Sequence, residues 1–201
     1  SVKCWGKNSS GQLGYGNAND LGDASGEMGD NLTVVDLGTG RTATAIGAGE
    51  EHTCAILDNA AVKCWGEGGS GRLGYGNTND IGNGSNEMGD NLTVVDLGTG
   101  RTATAISTGY AHTCAILDND SVKCWGEGDN GQLGYGNTND LGDASGEMGD
   151  NLPVVDLGTG RTATAISTGH GQTCAILDNS SVKCWGLNSI GQLGYGHTND
   201  L

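Results

Sequence analysis

The chain repeats itself every 60 residues. Cys4-Trp5-Gly6 returns at Cys64-Trp65-Gly66, Cys124-Trp125-Gly126 and Cys184-Trp185-Gly186. Residues 61–120 and 121–180 match at roughly 47 of 60 positions without a gap. A period this long exceeds that of most helical solenoids and fits a unit of several strands. The units are 1–60, 61–120 and 121–180, with a partial fourth at 181–201. The sequence opens inside one unit and stops inside another, which reads as a window on a longer tandem array. With 35% hydrophobic residues and no Phe, one unit cannot bury enough surface to offset its chain entropy. The units must therefore stack on one another.

One unit, residues 84–143, parses into four short strands. Leu92 to Leu97 reads as the first strand. Arg101 to Ser107 alternates small apolar and polar residues, as a half-buried strand does. His112 to Leu117 and Val122 to Trp125 follow, joined by a hairpin loop at Asp118-Asn119-Asp120. Gly126 to Asn137 is a Gly-rich coil anchored by Leu133 and Tyr135. Small residues at Ala103 and Ala105 admit a neighbouring sheet. The 39 glycines recur at fixed places such as Gly71, Gly74 and Gly76, which argues for turns at positive φ and against a flexible linker. The fold class expected is all-β, a tandem array of four-stranded antiparallel blades, propeller-like or an open superhelix.

Six of the seven cysteines pair by spacing across the hairpins: Cys54 with Cys64, Cys114 with Cys124, and Cys174 with Cys184. Opposed residues on antiparallel strands have Cα atoms about 4.5–5.5 Å apart, within the reach of a disulfide. Each closure contributes about 2–3 kcal/mol in the chain-entropy model. Cys4 has no mate in this sequence; the pattern places one ten residues upstream. Zinc on His52, Cys54 and Cys64, or buried free thiols, would be the competing readings. The third unit carries Gln172 where His52 and His112 stand, and the spacing is not that of a zinc ribbon. The disulfide reading implies an oxidising compartment, extracellular or at the cell surface. Triplets Asn-x-Ser/Thr at Asn8, Asn31, Asn83, Asn91, Asn119 and Asn179 are candidate glycan acceptors in that setting.

The motifs His-Thr-Cys-Ala-Ile-Leu-Asp-Asn (His52 to Asn59), Val-Lys-Cys-Trp-Gly (Val62 to Gly66) and Gly-Gln-Leu-Gly-Tyr-Gly (Gly131 to Gly136) resemble the repeat of the regulator of chromosome condensation family. The resemblance runs through the whole chain. It implies β-propeller blades of four antiparallel strands, usually seven to a ring. In the founding member, that ring is a nucleotide exchange factor for a small GTPase and binds chromatin. This chain departs from that pattern in its paired cysteines, its acidity and the near-identity of its units. Three and a third blades do not close a ring, which takes four or more.

A net charge of −15 opposes binding to a phosphate backbone, which needs Lys and Arg to displace counterions. Nucleic acid and bare acidic membranes are excluded as partners on the same ground, and no apolar run spans a membrane. Each unit carries an acidic, Gly-rich segment whose oxygens are candidate calcium ligands: Asp20, Asp23, Glu27 and Asp30, then Asp80, Glu87 and Asp90, then Asp140, Asp143, Glu147 and Asp150. A solvated acidic loop is the plainer reading. No nucleophile–base pair stands out and no Gly-x-Gly run opens a helix, so no enzyme and no cofactor other than calcium is expected. Near-identical units favour a regular array built of neighbouring copies, hence an extracellular fibre, appendage or surface layer. A closed seven-bladed propeller binding a protein or a glycan is the alternative, with an intracellular exchange-factor-like propeller third.

Overall fold

The computed structural model describes residues 1–201. Three antiparallel sheets follow one another along the chain. The first holds β1 (Ala43–Ala48), β2 (His52–Leu57) and β3 (Val62–Gly66). The second holds β4 (Ala103–Thr108), β5 (His112–Leu117) and β6 (Val122–Gly126). The third holds β7 (Ala163–Thr168), β8 (Gln172–Leu177) and β9 (Val182–Gly186). Each is a meander with its strands in sequence order. In the first sheet, β1 and β2 lie in unit 1–60 and β3 in unit 61–120.

The blades are three-stranded, not four-stranded. The segment expected as a first strand, Leu92 to Leu97, runs along the outer edge of β3 but makes one backbone bond to it, Val95 N–H to the Val62 carbonyl. Its buried residues are Leu92, Val95 and Leu97, spaced three and then two apart. A strand with one buried face repeats every two residues, so this segment cannot hold a ladder. Elsewhere on that edge, Ile81 forms a single bridge with Gly66.

The core lies between sheets. One cluster joins Cys54, Ile56, Val62 and Cys64 of the first sheet to Ala103, Ala115, Leu117 and Trp125 of the second, with Leu73, Val95 and Leu97 between them. Ala103 is buried at this junction, as expected of a small residue that lets sheets approach. Trp65 and Trp125 are fully enclosed. Gly74, at φ +77, lies over Trp125, where an added Cβ would sit 2.8 Å from the indole nitrogen; only glycine fits both constraints.

A polar latch repeats at each junction. The Arg72 carbonyl accepts from the Thr113 hydroxyl at 2.9 Å and from the Trp125 indole N–H at 3.0 Å. The Gln12 carbonyl serves Thr53 and Trp65 in the same way, and that of Gln132 serves Thr173 and Trp185. Tyr135 anchors the coil as expected: its hydroxyl accepts from Cys124 N–H and donates to the Cys124 carbonyl. No helix is long and apolar enough to cross a membrane.

Candidate functional site

The cysteines pair as their spacing predicts. Cys54–Cys64, Cys114–Cys124 and Cys174–Cys184 are disulfides between directly opposed residues, with Cα atoms 4.0–4.1 Å apart. The first two are wholly buried between sheets. Cys4 is free and half-buried, and burial pushes its thiol pKa up to about 11.

His52 and His112 are buried structural residues. His52 Nε2 lies 2.9 Å from the Thr113 hydroxyl, and His112 Nε2 2.9 Å from that of Thr173. Each hydroxyl already donates to a carbonyl, so each Nε2 must carry the ring proton. The Nδ1 atoms are then acceptors, and neither has a partner. With Cys54 and Cys64 bonded to each other, no thiolate stands beside His52 to share a metal.

The acidic segment is not drawn together: no three of its carboxylates gather into a cation cage. Most of them close their own loops instead. Glu27 accepts from the Gly22 and Ala24 N–H groups, Glu87 from Gly82 and Gly84, and Glu147 from Gly142 and Ala144. Asp20, Asp80 and Asp140 each take one N–H, from Asn8, Gly68 and Gly128. Asp90 binds the N–H and hydroxyl of Thr39, and Asp150 those of Thr99, and these bonds hold both carboxyls below their usual range. Asp143 is raised, first by burial and then by Glu147 beside it. Asp23 and Asp30 are exposed.

Of the candidate glycan acceptors, Asn31, Asn83, Asn91, Asn119 and Asn179 are exposed. Asn8 is fully buried, with its amide donating to the Asn17 carbonyl and accepting from Leu13 N–H. A glycan cannot be accommodated there in the folded chain.

A different site emerges where the sheets are compared with one another. Five aligned positions carry a different residue in every sheet: Glu50, Tyr110 and His170; Glu51, Ala111 and Gly171; Ala60, Asp120 and Ser180; Gly69, Asp129 and Ser189; Ser70, Asn130 and Ile190. Four of the five lie at one end of the sheets, where β1 ends, β2 begins and β3 ends. The two loops of that end are tied together by Glu67 N–H to the Glu51 carbonyl, a bond repeated at Glu127–Ala111 and Leu187–Gly171. Exposure alone does not account for this. Asp58, Asn59, Thr99 and Arg101 are also exposed, yet they recur unchanged in each copy.

The innermost turns of this end meet around a shallow bowl of about 290 Å³. Gly49, Gly109 and Gly169 form its floor, and Glu50, Tyr110 and His170 stand around it. Close approach requires those glycines: a Cβ on Gly49 would lie 2.5 Å from the Gly109 carbonyl oxygen, and one on Gly109 2.5 Å from that of Gly169. Tyr110 and His170 stack with ring centroids 4.2 Å apart. Lys7 is bonded to Glu51, which lowers the Glu51 pKa, and Arg72 is paired with Glu67. Burial, then Asp129 and Asp140, raises the Glu127 carboxyl. Motif reading passed over this end because it bears no motif. The signal that reveals it is the position-by-position difference between near-identical units.

Comparison with known proteins agrees with the fold. The model for the regulator of chromosome condensation (RCC1) repeat matches residues 43–72 and 103–132. The Ultraviolet-B receptor UVR8 of Arabidopsis thaliana is 33% identical over 161 residues, 80% of this chain and 33% of the receptor. The human E3 ubiquitin-protein ligase HERC2 is 27% identical over 196 residues, 97% of this chain and 4% of the ligase. The chain thus spans about a third or less of the length of these relatives. Among solved structures, human WBSCR16 superposes with a TM-score of 0.68 at 20% identity, covering 98% of this chain and 50% of that one. Yeast RCC1 (Prp20), solved bound to Kap60, gives 0.66 at 18% identity, covering 98% and 42%. Residues 43–72 and 103–132 thus match the regulator of chromosome condensation repeat, and the same 60-residue unit recurs in the third sheet, each of the three carrying a disulfide.

Proposed function

We propose that the chain is part of a propeller-type module that binds a protein partner through the end bearing the Glu50, Tyr110 and His170 turns. The observation that carries this is the concentration of divergence. A latch and core repeated from junction to junction hold the sheets in register, while one end of them varies from copy to copy. An array selected only for regular packing has no reason to vary at one end. A recognition surface does, because an asymmetric ligand needs different contacts from each blade. Positions on loops held by a rigid scaffold are where binding residues concentrate.

The expectation of a fibre-building structural protein gains no support from the fold or the relatives, and binding is the reading they favour. Prp20p of Saccharomyces cerevisiae, a structural neighbour at TM-score 0.63, is described by its binding to Gsp1p and histones. The buried disulfides fit an oxidising compartment, so the partner is sought outside the cell or at its surface.

The test is affinity capture from native material with three proteins: the wild-type chain, E50A/Y110A/H170A, and N59A/N119A/N179A at the opposite end. Proteins held by the wild type and by the opposite-end variant, but lost from the first variant, are the expected result. Equal capture by all three would refute the assignment of the face.

A further inference from the structure

We infer that the bowl receives an arginine or lysine side chain from a basic segment of the partner. This rests on the binding-module reading above and adds the chemistry of what is bound. The aromatic pair contributes the first reason. Tyr110 remains 37% exposed although stacked on His170, and a cation within about 6 Å of such a ring is attracted by its quadrupole.

Charge contributes the second reason. The cations of this end are already engaged, Lys7 by Glu51 and Arg72 by Glu67. Glu50, Glu127 and Asp129 form no ion pair. The end thus keeps a negative surplus beside an aromatic surface.

The third reason is the donor–acceptor balance. His52 is 1% exposed and His112 fully buried, and the unpartnered Nδ1 of each stands against a floor glycine, 2.7 Å from where a Cβ on Gly49 or Gly109 would be. Both atoms are acceptors, because Nε2 carries the proton. Both are sealed beneath the floor, and the charged acceptor exposed in the bowl itself is the Glu50 carboxylate. Guanidinium and ammonium groups are donors only, so they complement this lining, whereas an acidic segment would be repelled. The Thr108 hydroxyl on the bowl wall is likewise unpartnered.

The experiment titrates the chain with a nonapeptide of alternating arginine and glycine, by calorimetry at low and at high salt. A glutamate–glycine peptide and a neutral oligosaccharide serve as comparison ligands. Three variants are compared: Y110A, E50Q/E127Q/D129N, and the charge-matched control D58N/D118N/D178N at the opposite end. Saturable binding of the arginine peptide alone is expected. It should weaken about tenfold in Y110A and in the first triple variant, the equivalent of about 1.4 kcal/mol, and stay within about twofold in the control. Near-ultraviolet circular dichroism establishes that each variant is folded, and Y110F, which retains the ring, should bind as the wild type does.

Equal weakening in both triple variants would reduce the effect to overall acidity and overturn the inference. So would binding of the oligosaccharide in place of the peptide. If the native partner is lost from E50A/Y110A/H170A while the arginine peptide never binds, the face stands and only its cationic ligand is refuted.

Discussion

The two buried imidazoles make stability fall with pH well above the range where carboxylates titrate. Burial, with Arg72 nearby, lowers the His52 pKa from 6.5 to about 3. Burial, with His170 nearby, lowers that of His112 to about 4. As pH falls through 6.5 the unfolded chain takes up a proton at each ring and the folded chain does not. The stability contributed by each neutral ring is complete above that pH and is lost progressively as pH descends toward the folded value. At about 1.4 kcal/mol per pH unit, each ring costs about 2 kcal/mol between pH 7.5 and 5, and the pair about 4 kcal/mol. Urea unfolding followed by tryptophan fluorescence measures this, since Trp65 and Trp125 are enclosed in the folded state. The chain supplies its own control. Gln172 occupies the equivalent place in the third sheet, so H52Q/H112Q puts a residue there that the fold already tolerates and that cannot titrate. The variant should lose most of the slope between pH 7.5 and 5. A wild-type midpoint that is flat over this interval, or a variant that keeps the full slope, would show that the rings are not held neutral.

Three further outcomes follow from the junctions. T113V removes the acceptor for the His52 N–H and one of two donors to the Arg72 carbonyl, and should cost about 2 kcal/mol in urea unfolding; an unchanged midpoint would deny the latch its role. C114A/C124A opens a ten-residue span and should cost about 3 kcal/mol in the chain-entropy model, read as a drop in melting temperature relative to the oxidised wild type that narrows when both proteins are compared fully reduced. G47S should stabilise by about 1 kcal/mol, because Ser107 at the equivalent place bonds the Thr168 hydroxyl at 2.8 Å while Thr108, facing Gly47, has no partner; a lower melting temperature would mean that the first junction cannot admit the extra atoms.

Much of the architecture was legible because it is local. The hairpins from His112 to Leu117 and Val122 onward show in their β-branched residues and in the turn chemistry between them. The disulfides follow from those hairpins, since residues placed symmetrically about a turn must face each other. The fourth strand failed for a reason visible only in context. Leu92, Val95 and Leu97 are apolar enough to read as a strand, but the surface they cover does not repeat every two residues. The acidic segment shows the same dependence on context: residue type offered Glu87 and its equivalents as candidate metal ligands, and in the folded loops these carboxylates accept from nearby N–H groups.

By itself, the sequence determined the period, the hairpins, the cysteine pairing and the need of each unit for a neighbour. These depend on spacing along the chain and on composition, which are present before folding. Only the tertiary structure decided that the third strand's outer edge is covered by irregular chain, that His52 and His112 are sealed and neutral, and that residues near 50, 110 and 170 meet around one bowl. Those outcomes depend on contacts between positions about sixty residues apart, where burial and distance set the chemistry.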